Sequence, residues 1–147
     1  MTASVPETEN ITATAKQYEL AIASNVPVKV DSIYSDIWKI STNTASLPLG
    51  GWDPSTGELA MDAIAQIDQA FKNVELNLRN AGGTGWEQVF RVNSYLVPMD
   101  DEAMEAMVQN LRKYMPNHQP VWTCVGVTAL AEDAMKVEIE VVAHDPK

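Results

Sequence analysis

"PVWTCVGVTALAEDAMKVEIEVVAH" (residues 120–144) decides how this chain is read. Its second run, "KVEIEVVAH", alternates cleanly: Val137, Ile139 and Val141 on one face, Glu138 and Glu140 on the other, the period of a half-buried strand. Its first run, residues 121–128, follows Pro120 and carries Trp122 and the only cysteine, Cys124, on one face. Joined as a hairpin centred near residue 132, the two runs set Cys124 opposite Glu140 and Gly126 opposite Glu138. That register gathers a thiol, an indole and two acids on one surface. No lysine or arginine lies between Lys113 and Lys136.

Upstream the period changes. Ile64, Ile67, Phe71, Val74 and Leu78 recur at intervals of three and four, so residues 61–80 form an amphipathic helix. "NAGGTG" ends it with glycine suited to a left-handed cap. "WEQVFRVNSYLV" (86–97) is a strand, with Phe90, Val92, Ser94 and Leu96 on one face and Arg91, Asn93 and Tyr95 on the other. "PMDDEAME" opens a second helix with acids in its first turn, where the macrodipole favours them. Met104, Met107, Val108, Leu111 and Met115 form its apolar stripe and read as core filler. "VPVKV" (26–30) and "DIWKIS" (36–41) are two short strands, and residues 42–59 are a long loop built on Gly50-Gly51 and "DPSTGE".

The order β-β-α-β-α-β-β predicts an α+β layer: a mixed sheet with two helices on one face. The other face then carries Trp122, Cys124, Tyr95, Arg91 and the glutamates. A partly apolar sheet face without helices is an assembly surface, so the chain is expected to oligomerise through it.

Composition sets outer limits. The chain has 147 residues, 46% apolar and 20% charged, the profile of one globular domain. Its net charge of −10 repels phosphate backbones and anionic membrane faces, which argues against nucleic acid and membrane partners. One cysteine forms no internal disulfide, and His118 and His144 are too scattered for a metal site. "MTASVPETEN" has neither a basic n-region nor an apolar h-region, so a cytoplasmic location is expected. "NAGGTG" follows a helix rather than preceding one and is no phosphate loop.

"GGWDPSTGEL", "QAFKNVELNLRNAGG", "QVFRVNSYLV" and "QPVWTCVGVTALAEDAMKVEIEVVAHDP" together resemble the YjgF/RidA family, some of whose members carry the label L-PSP endoribonuclease. The likeness covers roughly residues 26–145. It implies a chorismate-mutase-like α+β fold over a single domain at 24–147, with residues 1–23 as a tail. It also implies a homotrimer whose sheets form a central barrel with clefts between subunits. Active relatives hydrolyse reactive enamines or imines to ketones and ammonia without a cofactor.

The resemblance carries over residue by residue. Cys124 sits at the family cysteine. Glu138 matches an acid that positions the attacking water and is the expected catalytic residue. Trp122 stands where active relatives have a carboxylate-clamping arginine. An indole offers one N–H and a wide apolar face instead of a bidentate fork, which suits a neutral or aromatic metabolite. Ser41 and Thr42 stand in a segment that usually reads Ser-Gly-Gln, followed here by an apparent insertion, "TASLPL" (44–49). The family's cleft tyrosine aligns near Ser24. Arg91 is a candidate substitute cation, against the plainer reading of an ion pair with Glu138 or Glu140. Trp52 is a candidate for closing the cleft. Cys124, with no histidine placed to activate it, reads on its own as a small buried hydrophobe.

The expected function is imine or enamine hydrolysis, or a related water or proton transfer, on a small-molecule ligand at a subunit interface. The alternatives are a non-catalytic trimer that binds a metabolite or protein, and an endoribonuclease, which the charge disfavours.

Overall fold

A computed structural model describes residues 38–41 and 44–144. Five strands, two helices and one 3₁₀ turn follow in order. β1 is Trp38–Ser41, β2 Thr44–Gly50, α1 Ala63–Asn80, the 3₁₀ turn Trp86–Gln88, β3 Val89–Leu96, α2 Asp101–Tyr114, β4 Val121–Gly126 and β5 Val137–His144. The chain is α+β, as the alternating periods require. The strands at 26–30, the tail at 1–23 and the domain start at residue 24 lie outside the described residues.

The sheet order is β1-β2-β5-β3-β4. β5 is central and antiparallel to both β2 and β3, while β3 and β4 run parallel. The hairpin expected between the last two strands does not form. A parallel pair needs a crossover, and α2 supplies it between β3 and β4. The ten residues between β4 and β5 then carry the chain back past β3.

A second correction concerns residues 44–50. The loop expected over 42–59 contains β2, paired with β5 from Thr44–His144 to Gly50–Glu138. "TASLPL" is therefore sheet rather than an inserted loop. Its proline lies beyond Trp38–Ser46, the last pair β1 makes with β2 among the described residues, where a residue without an N–H is tolerated.

Both helices cap early on an aspartate: Asp62 accepts from the Ala65 amide at 2.8 Å and Asp100 from the Ala103 amide at 2.9 Å. α1 ends as its sequence predicts, with Gly82 at φ 86 and the Gly83 amide donating to the Leu78 carbonyl at 3.0 Å. α1 packs across β2 and β5 and against α2. Its buried stripe contains Ile67, Phe71, Val74 and Leu78, while Ile64 at its start is exposed. Phe71 stacks on Trp86 at 4.7 Å between ring centres, and Tyr114 stacks on Phe71 at 5.5 Å.

Two buried amides tie α1 to the chain around it. Gln66 donates to the carbonyls of Ala60 at 2.6 Å and Ala134 at 2.9 Å, and accepts from the Lys136 amide at 2.8 Å. Asn73 donates to the carbonyls of Gly50 at 3.0 Å and Trp52 at 2.8 Å. Such pairing is what lets polar side chains sit in a core. The second glycine of "GGW" is needed for this approach: a Cβ at Gly51 would stand 2.3 Å from the Gln66 carbonyl oxygen.

Candidate functional site

Alternation along paired strands fixes which residues share a face. Val92, Ser94 and Leu96 of β3 and Val137, Ile139 and Val141 of β5 are buried on the helix side. Trp122 is the ladder partner of Val92, and Cys124 of Ser94. Partners across a ladder point the same way, so Trp122 and Cys124 face the helices and pack against the core. The indole N–H of Trp122 donates to Ser94 Oγ at 3.0 Å. Cys124 Sγ lies 3.5 Å from Met104 Sδ and 3.9 Å from Met99 Sδ, at the start of α2. The expectation that these two side chains share the open face with the glutamates is overturned. The cause is the parallel β3–β4 pairing, which leaves Val121, Thr123 and Val125 as the outward residues of β4.

The open face is built from β3, β4 and β5. It carries Arg91, Asn93 and Tyr95, then Val121, Thr123 and Val125, then Glu138, Glu140 and Val142. Val121 and Val125 are 71% and 42% exposed. Phe90 belongs to neither face by alternation. The ladder shifts between Val89 and Arg91, and Phe90, expected beside Val92, is the extra residue and is 50% exposed.

Glu138 sits at the centre of one end of this face. Its ladder partners are Tyr95 on β3 and Gly50 on β2. A side chain at Gly50 would meet the Trp52 ring, which packs against the core. Burial, and then the neighbouring Glu140 carboxylate, push the Glu138 carboxyl above its ordinary value. Glu140 accepts from Asn93 Nδ2 at 3.3 Å. Glu138 lies on the open face, and Trp52 packs against the core beside Gly50, the β2 ladder partner of Glu138.

The other expected residues lie apart from Glu138. Arg91 pairs with Val142, four residues along β5 from Glu138, or roughly 13 Å by strand rise. It makes no ion pair with either glutamate; among the described residues the only ion pair is Arg79–Glu75. Ser41 pairs with Thr44, whose partner on β5 is His144, placing its backbone about 20 Å from Glu138 by the same rise. Thr42 and Ser24 lie outside the described residues. No group of three or more His, Cys, Asp or Glu gathers among the described residues to hold a metal ion.

A groove of about 540 Å³ opens beside Trp122, between the C-terminal end of α2 and β4. It is lined by Val108, Leu111, Met115 and Trp122, with Arg112 and His118 among its polar groups. His118 Nε2 is 2.8 Å from the Val89 carbonyl oxygen, which holds the loop 116–120 against the sheet. Helical spacing assigns Leu111 and Met115 to the core, and only their place at the end of α2 exposes them to this groove. No described helix is long and apolar enough to cross a membrane.

Comparison with known proteins places this architecture. Residues 34–145 match the family model Endoribonuclease L-PSP. RidA from the Antarctic bacterium Psychrobacter sp. PAMC 21119 is 25% identical, with a TM-score of 0.63 over 76% of this chain and 94% of that one. The YjgF gene product of E. coli is 21% identical, with a TM-score of 0.63 over 74% and 84% of the two chains. E. coli TdcF, solved with bound serine, is 21% identical, with a TM-score of 0.62 over 70% and 81%. No curated protein matches the chain. With its sheet, its two covering helices and most of its length accounted for, the chain belongs to the Endoribonuclease L-PSP family, the YjgF/RidA proteins.

Proposed function

We propose that the chain is a cytoplasmic, cofactor-independent hydrolase of imines or enamines, working as a homotrimer with its sites between subunits. The observation that carries this reading is Glu138. It is a half-buried carboxyl with a raised pKa, on the sheet face that the two described helices leave open. A raised carboxyl pKa moves the group in the direction that favours proton transfer in catalysis. In the reaction, Glu138 takes a proton from water as the C–O bond forms at the imine carbon. It gives that proton to nitrogen to form the carbinolamine, then takes the carbinolamine hydroxyl proton as the C=O bond forms and passes it to the departing nitrogen as the C–N bond breaks, releasing ammonia and a ketone.

Trp122 and Cys124 point away from Glu138 within one protomer. For all three to touch one ligand, the edge strand β4 of one copy must meet the open face of the next. Each cleft would then take its acid from one subunit and its indole from another. The serine held by TdcF supports a small-molecule ligand for this fold.

The reading is tested by mixing two variants. Glu138→Gln and Trp122→Ala homotrimers should each release ammonia slowly from enamines made from neutral and aromatic amines. Mixed trimers, formed by dissociating and reassembling the two together, should recover part of the activity, because some clefts regain both intact residues. No recovery would remove the shared cleft. Rates no higher than background for the unaltered protein on every imine would favour a non-catalytic, ligand-binding trimer, which the helix-facing set of Trp122 also suits. RNA cleavage is disfavoured by the net charge of −10.

A further inference from the structure

The parallel ladder that turns Cys124 toward the helices also brings it to the start of α2, where two methionines meet it. Cys124 Sγ lies 3.5 Å from Met104 Sδ and 3.9 Å from Met99 Sδ. A thiol carries one proton, so hydrogen bonding accounts for one of these approaches at most. Met104 belongs to the opening turn of α2 and packs against the core. Met99 stands just before the Asp100 cap and is 48% exposed. Gly126 lets it lie over the end of β4, since a Cβ there would stand 3.1 Å from Met99 Cβ. Three sulfur atoms, from a strand, a helix and the turn before that helix, thus converge. One of them is open to solvent.

This donor set has a chemical preference. Thiolate and thioether sulfurs are soft ligands that suit Cu(I), whereas magnesium, calcium and manganese take oxygen. Zinc takes thiolate, imidazole and carboxylate rather than thioether. Metal–thiolate bonds of about 2.3 Å put the sulfurs of a trigonal site about 4.0 Å apart. The two distances from Cys124 lie close to that spacing. Each methionine arm turns on three rotatable bonds, so the thioethers can close on an ion without moving the backbone. One thiolate and one monovalent cation cancel, which leaves a partly buried site with no net charge to desolvate. Asp100, Asp101 and Glu102 follow Met99, and the net charge of −10 draws cations toward that entrance.

We propose that Cys124, Met99 and Met104 bind one Cu(I) ion as a trigonal sulfur site. The thiol proton passes to water as the Sγ–Cu bond forms, each thioether adds a lone pair, and the ion stays Cu(I). Cys124 is also assigned above to the cleft between copies, so a bound ion occupies one wall of that cleft. The site itself is complete in one protomer and needs neither Glu138 nor assembly.

The test uses the full chain, reduced and kept free of oxygen, with Cu(I) supplied in competition with the chromogenic chelator bicinchoninate. The parent should take up one equivalent per chain, and X-ray absorption should show three sulfur neighbours around the copper. Met99→Leu and Met104→Leu keep the side-chain volume and remove one ligand each. Each should weaken Cu(I) binding about tenfold or more, the least that losing even an outer-shell partner costs. Cys124→Ala should abolish binding. Zn(II), which does not use thioethers, should bind the parent and both methionine variants alike. Glu138→Gln should leave Cu(I) uptake unchanged whatever it does to hydrolysis, so failure of either reading leaves the other standing. Parent affinity retained in both methionine variants, a copper with fewer than three sulfur neighbours, or no uptake by the parent against the chelator would each overturn the proposal.

Discussion

The indole N–H of Trp122 donates to the hydroxyl of Ser94 at 3.0 Å, from the edge strand to its parallel neighbour. Ser94 is fully buried, so this bond anchors the largest side chain of β4 on the helix side, where the parallel ladder places it, away from Glu138. The arrangement separates an aromatic surface from an acid that one strand pairing would have joined.

Removing the acceptor tests that bond. Ser94→Ala leaves a half-buried indole N–H unsatisfied and should lower stability by about 1–2 kcal/mol. A urea midpoint unchanged from that of the parent would show that Trp122 finds another partner or does not need one.

Glu138 makes a prediction about pH. Its carboxyl titrates higher in the fold than in the unfolded chain. The folded protein therefore holds more protons than the unfolded one between those two values, and stability falls as pH rises through that window. Glu138→Gln removes the ionisation. The variant should match the parent in acid and exceed it in stability at neutral pH. Melting curves across the acid-to-neutral range check this, and a variant less stable at neutral pH would contradict it. As an acid–base residue, Glu138 should cost about 10²–10⁴ in kcat on the same substitution.

Gln66 is the latch between α1 and the approach to β5. Gln66→Leu keeps the volume but strands two backbone carbonyls, Ala60 and Ala134, and the Lys136 amide. The expected loss is about 3 kcal/mol or more, with faster hydrogen exchange at Lys136. A loss under about 1 kcal/mol would mean that water replaces the amide.

The open face is proposed to meet other copies, and Val125 lies on it at 42% exposed, in line with Tyr95 and Glu138. Val125→Asp adds a charge beside two existing acids. Sedimentation should show trimers for the parent and monomers for the variant, with the circular dichroism of the helices retained. Trimers in both would mean that assembly uses another surface.

The sequence by itself determined every element whose evidence is periodic. The 3.6-residue stripe of Ile67, Phe71, Val74 and Leu78 and the strict alternation of Val137, Ile139 and Val141 each fix a helix or strand and its inward side, because the pattern and the geometry share one period. The resemblance of the chain to its family was legible in the same segments. Strand neighbours were not. In β4, one set of alternate residues is Trp122, Cys124 and Gly126, and the other is Val121, Thr123 and Val125. Both are apolar enough to face a core, so no local pattern chooses between them. The choice falls to the parallel ladder with β3, which is a contact between residues some thirty positions apart. β2 escaped notice for a related reason: Pro48 and Gly50 suggest a loop locally, and only the long ladder with β5 makes that segment a strand. Tertiary pairing thus decided which side of the sheet each candidate residue faces, because facing is a property of two strands together and is not carried by either one alone.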